Sequence, residues 1–201
     1  MYRVLALLSA GLMLVLMSGC SSMPKVIRTD ASEQIDVSGE WNDTDSQLVS
    51  AEMITDVLSR PWISDYSSKK NDKPRVVVGA VLNKSHEHIN TETFVTDLER
   101  EVTNSGKIRF VANKDQRNEI REERMDQAQN ASMKTAKNMG QEYGADFMLK
   151  GQINTIMDEA GKVSLKYYQV DLELIDMETN EKVWLGQKKI KKVVKRSKTK
   201  F

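Results

Sequence analysis

The sequence predicts an α+β fold, in which helices pack on a mixed sheet and the last three strands form an antiparallel meander. Two observations lead to this prediction. Between residues 43 and 106, apolar side chains recur at helical spacing on both sides of one β-branched run. After Gly144 the spacing changes from 3.6 to 2, which is typical of strands with one covered face. Helices followed by consecutive strands are the pattern of an α+β domain.

The first predicted helix follows Trp41. Asp43 or Asp45 is expected to cap it, because a carboxylate accepts hydrogen bonds from the free amides of the first turn. Pro61 ends it, since proline has no amide hydrogen for the helical ladder. The apolar positions that predict its buried face are Leu48, Ala51, Ile54, Val57 and Leu58.

The segment after Pro61 leads into the first predicted strand. We expect Trp62 and Ile63 to fold back onto the core, followed by a polar loop from Ser67 to Lys73. Residues 75–82 then read RVVVGAVL, a continuous run rich in β-branched side chains. Such a run is typical of a strand covered on both faces, and it therefore predicts a central strand.

Asn90 or Thr91 is predicted to cap a second helix, which ends at Gly106. Residues 107–112 alternate like a short strand. The next segment, residues 114–143, is rich in helix formers but poor in apolar residues, which predicts one or two exposed helices. The predicted buried side chains of the second helix are Phe94, Val95, Leu98 and Val102.

The C-terminal part is expected to contain three long strands joined by tight turns. Alternating apolar and polar residues place the strands at 147–157, 163–175 and 181–194. Residues 159–161 and 178–180 have the composition of turns. Consecutive strands with such short connections pair as an antiparallel meander.

The N-terminus has the features of a signal peptide that ends at the sole cysteine of the chain. Arg3 supplies a positive charge, and residues 4–17 form an apolar run that is too short to span a bilayer. The run closes on Met17-Ser18-Gly19-Cys20, which resembles the bacterial lipobox, although Leu16 lies one position before its usual place. By that resemblance, residue 20 becomes a lipidated N-terminus with three acyl chains, more than stable membrane anchoring requires.

These features divide the chain into a lipoprotein signal peptide (1–19), a lipidated N-terminus with a short flexible tether (20–36), a globular domain (37–194) and a basic tail (195–201). Residues 21–36 reach at most about 55 Å when fully extended, and such a chain averages roughly 20–24 Å when flexible. Ser21, rather than Asp, follows the cysteine, and by resemblance to the enterobacterial sorting rule it favours the outer membrane.

The composition excludes several classes of chemistry. A single cysteine allows no internal disulfide and no thiolate zinc cluster. The chain has neither a G-x-S-x-G nucleophile motif nor a glycine spacing that binds phosphate. We therefore expect no enzyme activity, no catalytic residue and no cofactor. His86 and His88 are weak candidates for metal binding, because two imidazoles two positions apart share one face of an extended segment but lack a third ligand.

The C-terminus carries eight basic residues and no acid between Lys188 and Lys200. Nucleic acid is not an expected partner, since only Phe201 offers an aromatic ring for base stacking. Anionic lipid head groups suit this charge better. A solvated strand end followed by a fraying tail explains it as well.

Several segments together resemble the LpoB-type activators of penicillin-binding proteins over residues 37–194. The motifs W-N-D-T-D, N-K-S-x-E-H-I and G-A-D-F-M-L-x-G are specific in combination. The matching segments are SGEWNDTDSQLV (38–49), PRVVVGAVLNKSHEHINTETF (74–94), SGKIRFV (105–111), REERMDQ (121–127), YGADFMLKGQINTI (143–156), YYQVDLELIDMETNEKVW (167–184) and LGQKKIKK (185–192).

This resemblance implies an outer-membrane lipoprotein whose domain, similar to the N-terminal domain of TolB, faces the periplasm. Such a domain binds a bifunctional peptidoglycan synthase (a penicillin-binding protein) and stimulates it. The short tether departs from the long linker of familiar family members. Either the synthase projects further, or Cys20 lies in the inner membrane, or the protein has another envelope client. The alternative function is a structural or assembly lipoprotein of an envelope or secretion complex.

Overall fold

The computed structural model describes residues 26–137 and 141–195. The chain divides into two compact units between Glu33 and Gln34. In the first unit, residues 26–33 contain a turn in which the Asp30 carboxylate accepts hydrogen bonds from the amide and the hydroxyl of Ser32. The second unit contains the helices and strands given next.

The described residues form four helices and five strands. In chain order they are α1 (Asp43–Ser59), α2 (Trp62–Lys70), β1 (Arg75–Asn83), α3 (Glu92–Asn104), β2 (Arg109–Phe110), α4 (Lys114–Asn130), β3 (Phe147–Ala160), β4 (Val163–Asp176) and β5 (Lys182–Lys195). This α+β architecture confirms the predicted fold class. The likeness to the N-terminal domain of TolB stays a prediction.

The five strands form one mixed sheet in the order β2-β1-β3-β4-β5. β1 pairs in parallel with both β2 and β3, whereas β3, β4 and β5 pair antiparallel. The predicted meander is therefore confirmed. The strand predicted to be central lies inside the sheet, but the middle position belongs to β3. Gly161 and Asn180 adopt positive φ angles of 59° and 63° in the two turns of the meander.

Helix α1 begins with a capping box. The Asn42 side chain accepts a hydrogen bond from the Asp45 amide (3.2 Å), and the Asp45 carboxylate accepts one from the Asn42 amide (3.0 Å). The prediction that Asp43 or Asp45 caps this helix is therefore wrong, because Asn42 is the cap and Asp45 is its reciprocal partner in the first turn.

The buried face of α1 also differs from the predicted one. Leu48 and Ala51 are exposed, while serines occupy core-facing positions together with apolar residues. The hydroxyls of those serines form hydrogen bonds within the helix, as when Ser50 donates to the Gln47 carbonyl. Their burial therefore costs little free energy. Hydrophobic periodicity does not detect such a face. The buried residues of α1 are Thr44, Asp45, Ser46, Val49, Ser50, Met53 and Val57.

The predicted polar loop from Ser67 to Lys73 is in part a helix, since α2 extends from Trp62 to Lys70. Trp62 and Tyr66 explain this difference, because both pack edge-on against Phe147, with ring centroids 5.3 and 5.4 Å away. These contacts stabilise a helix that the polar sequence does not favour by itself. The expected return of Trp62 to the core is confirmed by its 6% exposure.

Helix α3 buries the four predicted residues and packs against α1. Thr91 precedes it, but its hydroxyl donates to the Val81 carbonyl instead of capping the helix, while Asn90 accepts from the Glu92 amide. Gly106 follows the helix with a φ of 69°. α4 has no buried residue, as predicted for this segment.

One hydrophobic core lies between the helices and the sheet. Its fully buried large side chains are Phe94, Met53, Tyr168, Leu149, Ile153, Leu172 and Leu174. On the opposite face, which we call the open face, the described residues of β3, β4 and β5 are half-buried or exposed. This asymmetry makes the open face of the sheet a candidate for interaction with another molecule.

Candidate functional site

Two motifs that carry the family resemblance meet in the structure. Residues 41–45 begin α1, and residues 83–89 connect β1 to α3. The Glu87 carboxylate joins them, because its Oε2 atom accepts a hydrogen bond of 2.9 Å from the backbone N–H of Trp41. The two motifs therefore form one junction rather than two independent surfaces.

The other oxygen of Glu87 connects this junction to strand β4. Glu87 Oε1 accepts hydrogen bonds from Lys166 Nζ (2.7 Å) and from the Tyr168 hydroxyl (2.8 Å). The side chains of Lys166 and Glu87 are only 12% and 14% exposed. An ion pair shielded from water in this way is hard to break, because loss of one partner leaves the other charge buried and uncompensated.

The surroundings of Glu87 favour its ionised form. Burial alone would raise the pKa of Glu87, but hydrogen bonds from Lys166, the Trp41 amide and Tyr168 outweigh burial and hold that pKa below its ordinary value. Burial and the hydrogen bond to Glu87 raise the pKa of Tyr168. The carboxylate is therefore charged and the phenol neutral at neutral pH.

A second ion pair holds the start of α1 against β5. Lys192 Nζ lies 2.6 Å from Asp45 Oδ2 and 3.0 Å from Asp36 Oδ1, and it also donates to the Glu40 carbonyl at 2.9 Å. Burial alone would lower the pKa of Lys192, but the hydrogen bonds to Asp45 and Asp36 outweigh it and raise that pKa. The segment before α1 is thus attached to the sheet by charge.

Asn83 shapes the loop that presents Glu87. Its side-chain amide donates to the carbonyls of Glu87 (2.8 Å) and Ile89 (3.3 Å), while its Oδ1 accepts from the amide and the hydroxyl of Ser85. The loop is therefore closed by its own polar groups. The contacts described for the motifs 41–45 and 83–89 thus connect parts of the domain to each other.

The two weak metal candidates are on this loop, and both side chains are exposed. His86 Nδ1 lies 3.1 Å from the Thr155 hydroxyl, and Glu87, between the two histidines, is engaged in the junction described above. No group of three or more His, Cys, Asp or Glu side chains that suits a metal ion occurs in residues 26–137 and 141–195. His86 and His88 thus gain no third ligand from the described part of the chain.

Two further predictions lie wholly or partly outside the described residues. Cys20, the predicted lipidation residue, and the signal peptide 1–19 precede residue 26. Residues 196–201 of the predicted basic tail follow the last described residue. Within the described part of the chain, no helix combines the length and the apolar character that a membrane span requires.

The open face of the sheet carries a row of polar side chains across its middle. The Asp171 carboxylate accepts hydrogen bonds from Gln169 Nε2 (2.8 Å) and Gln187 Nε2 (2.7 Å). These residues come from adjacent strands, so the bonds fix their orientation. Amide and carboxylate groups held on a rigid sheet are suited to recognising another protein.

Beside this row lies a groove of about 540 Å³. Leu82 and Leu185 line it and are 51% and 65% exposed, so the groove presents two large apolar side chains to solvent. Its charged rim is partly neutralised, since Lys182 Nζ lies 2.5 Å from Glu173 Oε2. Apolar side chains surrounded by oriented polar groups are typical of a protein-binding surface. Sequence alternation predicted these strands but did not identify the groove.

Comparison with known proteins gives one match at the level of a family. The sequence model of the family described as "Peptidoglycan-synthase activator LpoB" matches residues 45–190 of this chain. No curated protein sequence matches.

Solved structures with similarity to this chain include the following three. The LpoB C-terminal domain from Salmonella enterica is 17% identical, with a TM-score of 0.33 over 65% of this chain and 93% of that chain. Lipoprotein GNA1162 from Neisseria meningitidis is 16% identical, with a TM-score of 0.39 over 63% of this chain and 88% of that chain. PelC from Paraburkholderia phytofirmans, a dodecamer, is 14% identical, with a TM-score of 0.33 over 63% and 76%.

Proposed function

Because this chain belongs to the LpoB family of peptidoglycan-synthase activators, we propose that it binds and stimulates a bifunctional penicillin-binding protein. The observation that supports this proposal is the family match, which extends from the first turn of α1 to β5. The protein acts as a regulator and not as a catalyst. Its binding stimulates the synthase only if it favours the active conformation, since equal affinity for both states shifts no equilibrium.

The proposed activator is attached to the outer membrane through Cys20 and faces the periplasm. Removal of residues 1–19 makes the lipidated Cys20 the N-terminus, and residues 20–36 connect it to the domain. The lipobox-like sequence and Ser21 support this location. The tether spans at most about 55 Å, so the synthase has to approach the anchored domain closely.

The groove on the open face is the proposed docking surface for the synthase. Leu82 and Leu185 supply exposed apolar area, and Asp171 with its two glutamine partners supplies oriented polar groups. The surface lies on paired strands, so binding requires little reordering of the backbone. Cofactors have no part in this function.

The test is a glycan polymerisation assay with the organism's own purified bifunctional synthases and residues 21–201 of this chain. We expect an increased rate of polymerisation with at least one synthase. The variant Leu82→Asp/Leu185→Asp should lose most of the stimulation, because two buried carboxylates would oppose docking. The matched control is Met125→Asp on α4, which is 46% exposed and outside the groove.

Three results would contradict parts of this proposal. If no synthase is stimulated, the activator function is wrong. If the groove variant stimulates as well as the control, the docking surface lies elsewhere. A stable oligomer, or an envelope complex that lacks any synthase, would favour the structural or assembly lipoprotein instead.

A further inference from the structure

The lysines of β5 fall into two classes according to the face they occupy. On the core-facing side, Lys188 pairs with Glu52 (3.1 Å) and Lys192 pairs with Asp45 (2.6 Å). These charges are balanced within the domain, and they are partly shielded, with side-chain exposures of 26% and 13%.

On the open face of the same strand, three lysines carry charges that no acid of the described segments neutralises by an ion pair. Lys189, Lys191 and Lys195 are exposed, and none of them forms an ion pair with another residue of the described segments. Positions two apart on a strand lie about 7 Å from each other on one face. Lys189 and Lys191 therefore form a compact cationic row, which Lys195 extends beyond Val193.

Exposed apolar side chains surround these lysines. Val193 lies between Lys191 and Lys195 and is 54% exposed. Ile156 of β3 is 63% exposed, and Val163 of β4, which pairs with Lys195, is 42% exposed. We call this region the cationic end of the sheet and define it as Lys189, Lys191, Val193 and Lys195 with Ile156 and Val163.

Few acids oppose this charge. Asp158 of β3 is exposed and pairs with Leu165 of β4, which in turn pairs with Val193. Asp171 lies further along β4 and is hydrogen-bonded by two glutamines. The cationic end therefore has a net positive charge next to apolar side chains, and this combination suits the surface of an anionic bilayer.

The chain enters the folded unit at the same end of β5, on the core-facing side of this strand. Asp36 accepts a hydrogen bond from Lys192, and Gly39 packs so tightly on Val194 that an added Cβ would overlap the Val194 side chain. Residue 36 is the last residue of the tether that leads back to Cys20. Over this length a flexible chain averages only about 20–24 Å.

We propose that the cationic end of the sheet lies against an anionic phospholipid bilayer and orients the anchored domain on its membrane. This inference rests on the anchoring at Cys20 that forms part of the proposed function. The anchor keeps the lysines near the lipid, and electrostatic attraction acts over a Debye length of about 10 Å at 0.1 M salt. The groove occupies the other half of the same sheet face.

The first experiment uses the single thiol of the chain. Residues 20–201 are coupled through Cys20 to a maleimide lipid in vesicles of phosphatidylcholine, with or without 30% phosphatidylglycerol. A soluble acylating reagent is then added, and mass spectrometry measures the rate at which it modifies each lysine. We expect phosphatidylglycerol to slow acylation of Lys189, Lys191 and Lys195 several-fold, and 0.5 M salt to abolish this protection. Equal rates on both vesicles would overturn the proposal.

The second experiment measures partitioning without an anchor. Residues 20–201 carrying Cys20→Ser are titrated with the same anionic vesicles. In this background, the triple substitution Lys189→Gln/Lys191→Gln/Lys195→Gln is expected to weaken vesicle binding on the order of 100-fold, about fivefold per lysine. The corresponding triple arginine variant should bind like the parent. The charge-matched control is Lys69→Gln/Lys107→Gln/Lys114→Gln, three exposed lysines outside the cationic end, which should change binding little.

The outcomes separate this inference from the proposed function. If the two triple glutamine variants lose vesicle binding to the same extent, a general effect of charge explains the binding and this inference is wrong. If the triple glutamine variant of β5 self-associates but binds vesicles unchanged, the inference is wrong, and these lysines instead protect an edge strand from pairing with another chain. Vesicle assays contain no synthase and polymerisation assays need no vesicle, so each proposal fails in its own assay.

Discussion

Glu87 and Trp41 are 46 positions apart in the sequence, yet the Glu87 carboxylate accepts a 2.9 Å hydrogen bond from the Trp41 backbone N–H. The ring of Trp41 in turn packs edge-on against Tyr168, with centroids 5.4 Å apart, and the Tyr168 hydroxyl donates to Glu87. One carboxylate thus connects the N-terminal segment, the β1–α3 loop and β4. This connection makes Glu87 a sensitive position for stability.

Glu87→Gln is expected to lower the free energy of unfolding by about 3 kcal/mol, because Lys166 would remain largely buried with only the exposed Glu40 carboxylate, 3.9 Å away, as a counter-charge. Glutamine keeps the size of the side chain, so packing changes little. Urea denaturation followed by tryptophan fluorescence measures this change.

The control for this substitution is Glu122→Gln on the exposed helix α4, which should alter stability by less than about 0.5 kcal/mol. A similar small effect at Glu87 would show that the buried ion pair contributes nothing to stability.

The contribution of Glu87 should depend on pH. The pKa of Glu87 in the folded protein lies below its ordinary value of 4.5, so its stabilising effect is complete above about pH 4.5 and is lost as the pH falls through the folded pKa. The difference in unfolding free energy between the parent and Glu87→Gln is therefore largest at pH 7 and shrinks towards pH 3. Urea titrations at both values test this, and a constant difference would contradict it.

Gly186→Ala should destabilise the domain. An added Cβ would overlap the ring of Trp184 and would lie 2.7 Å from Met53 Sδ. The Trp184 ring cannot easily move aside, because its Nε1 atom donates to Asp56 at 2.7 Å. We expect a loss of about 1–3 kcal/mol, as for other overpacked cores.

Urea denaturation measures the effect of Gly186→Ala, and near-ultraviolet circular dichroism reports the tryptophan environment. Gly144→Ala is the matched control, since its Cβ would meet no atom within 4 Å, and it should change stability by less than about 0.5 kcal/mol. Equal stabilities of the two variants would argue against tight packing at Gly186.

His86 and His88 are expected to have no role in metal binding. Both are exposed, and neither zinc nor a chelator should shift the unfolding temperature of the parent protein. His86→Ala/His88→Ala should behave in the same way. Elemental analysis that finds one bound metal ion per chain, lost in the double variant, would prove this prediction wrong.

The site was less predictable than the fold. The motif around Glu87 carries the family resemblance, and its spacing indicates the two histidines as candidates, whereas the structure uses the glutamate between them. The partners of Glu87 come from positions 41, 166 and 168, and no local pattern connects such distant residues. The groove likewise depends on which strands become neighbours in the sheet.

The α+β class, the five strands, three of the four helices, the buried stripe of α3 and the family follow from the amino-acid sequence alone. These features depend on the periodicity and identity of residues that are close along the chain. Three features depend on the tertiary structure: Asn42 caps α1, serines of this helix face the core, and the β5 lysines from Lys188 to Lys195 are ion-paired on one face of the strand and exposed on the other. The physical reason is that burial and ion pairing depend on contacts between elements, which become defined only when the sheet is assembled and packed.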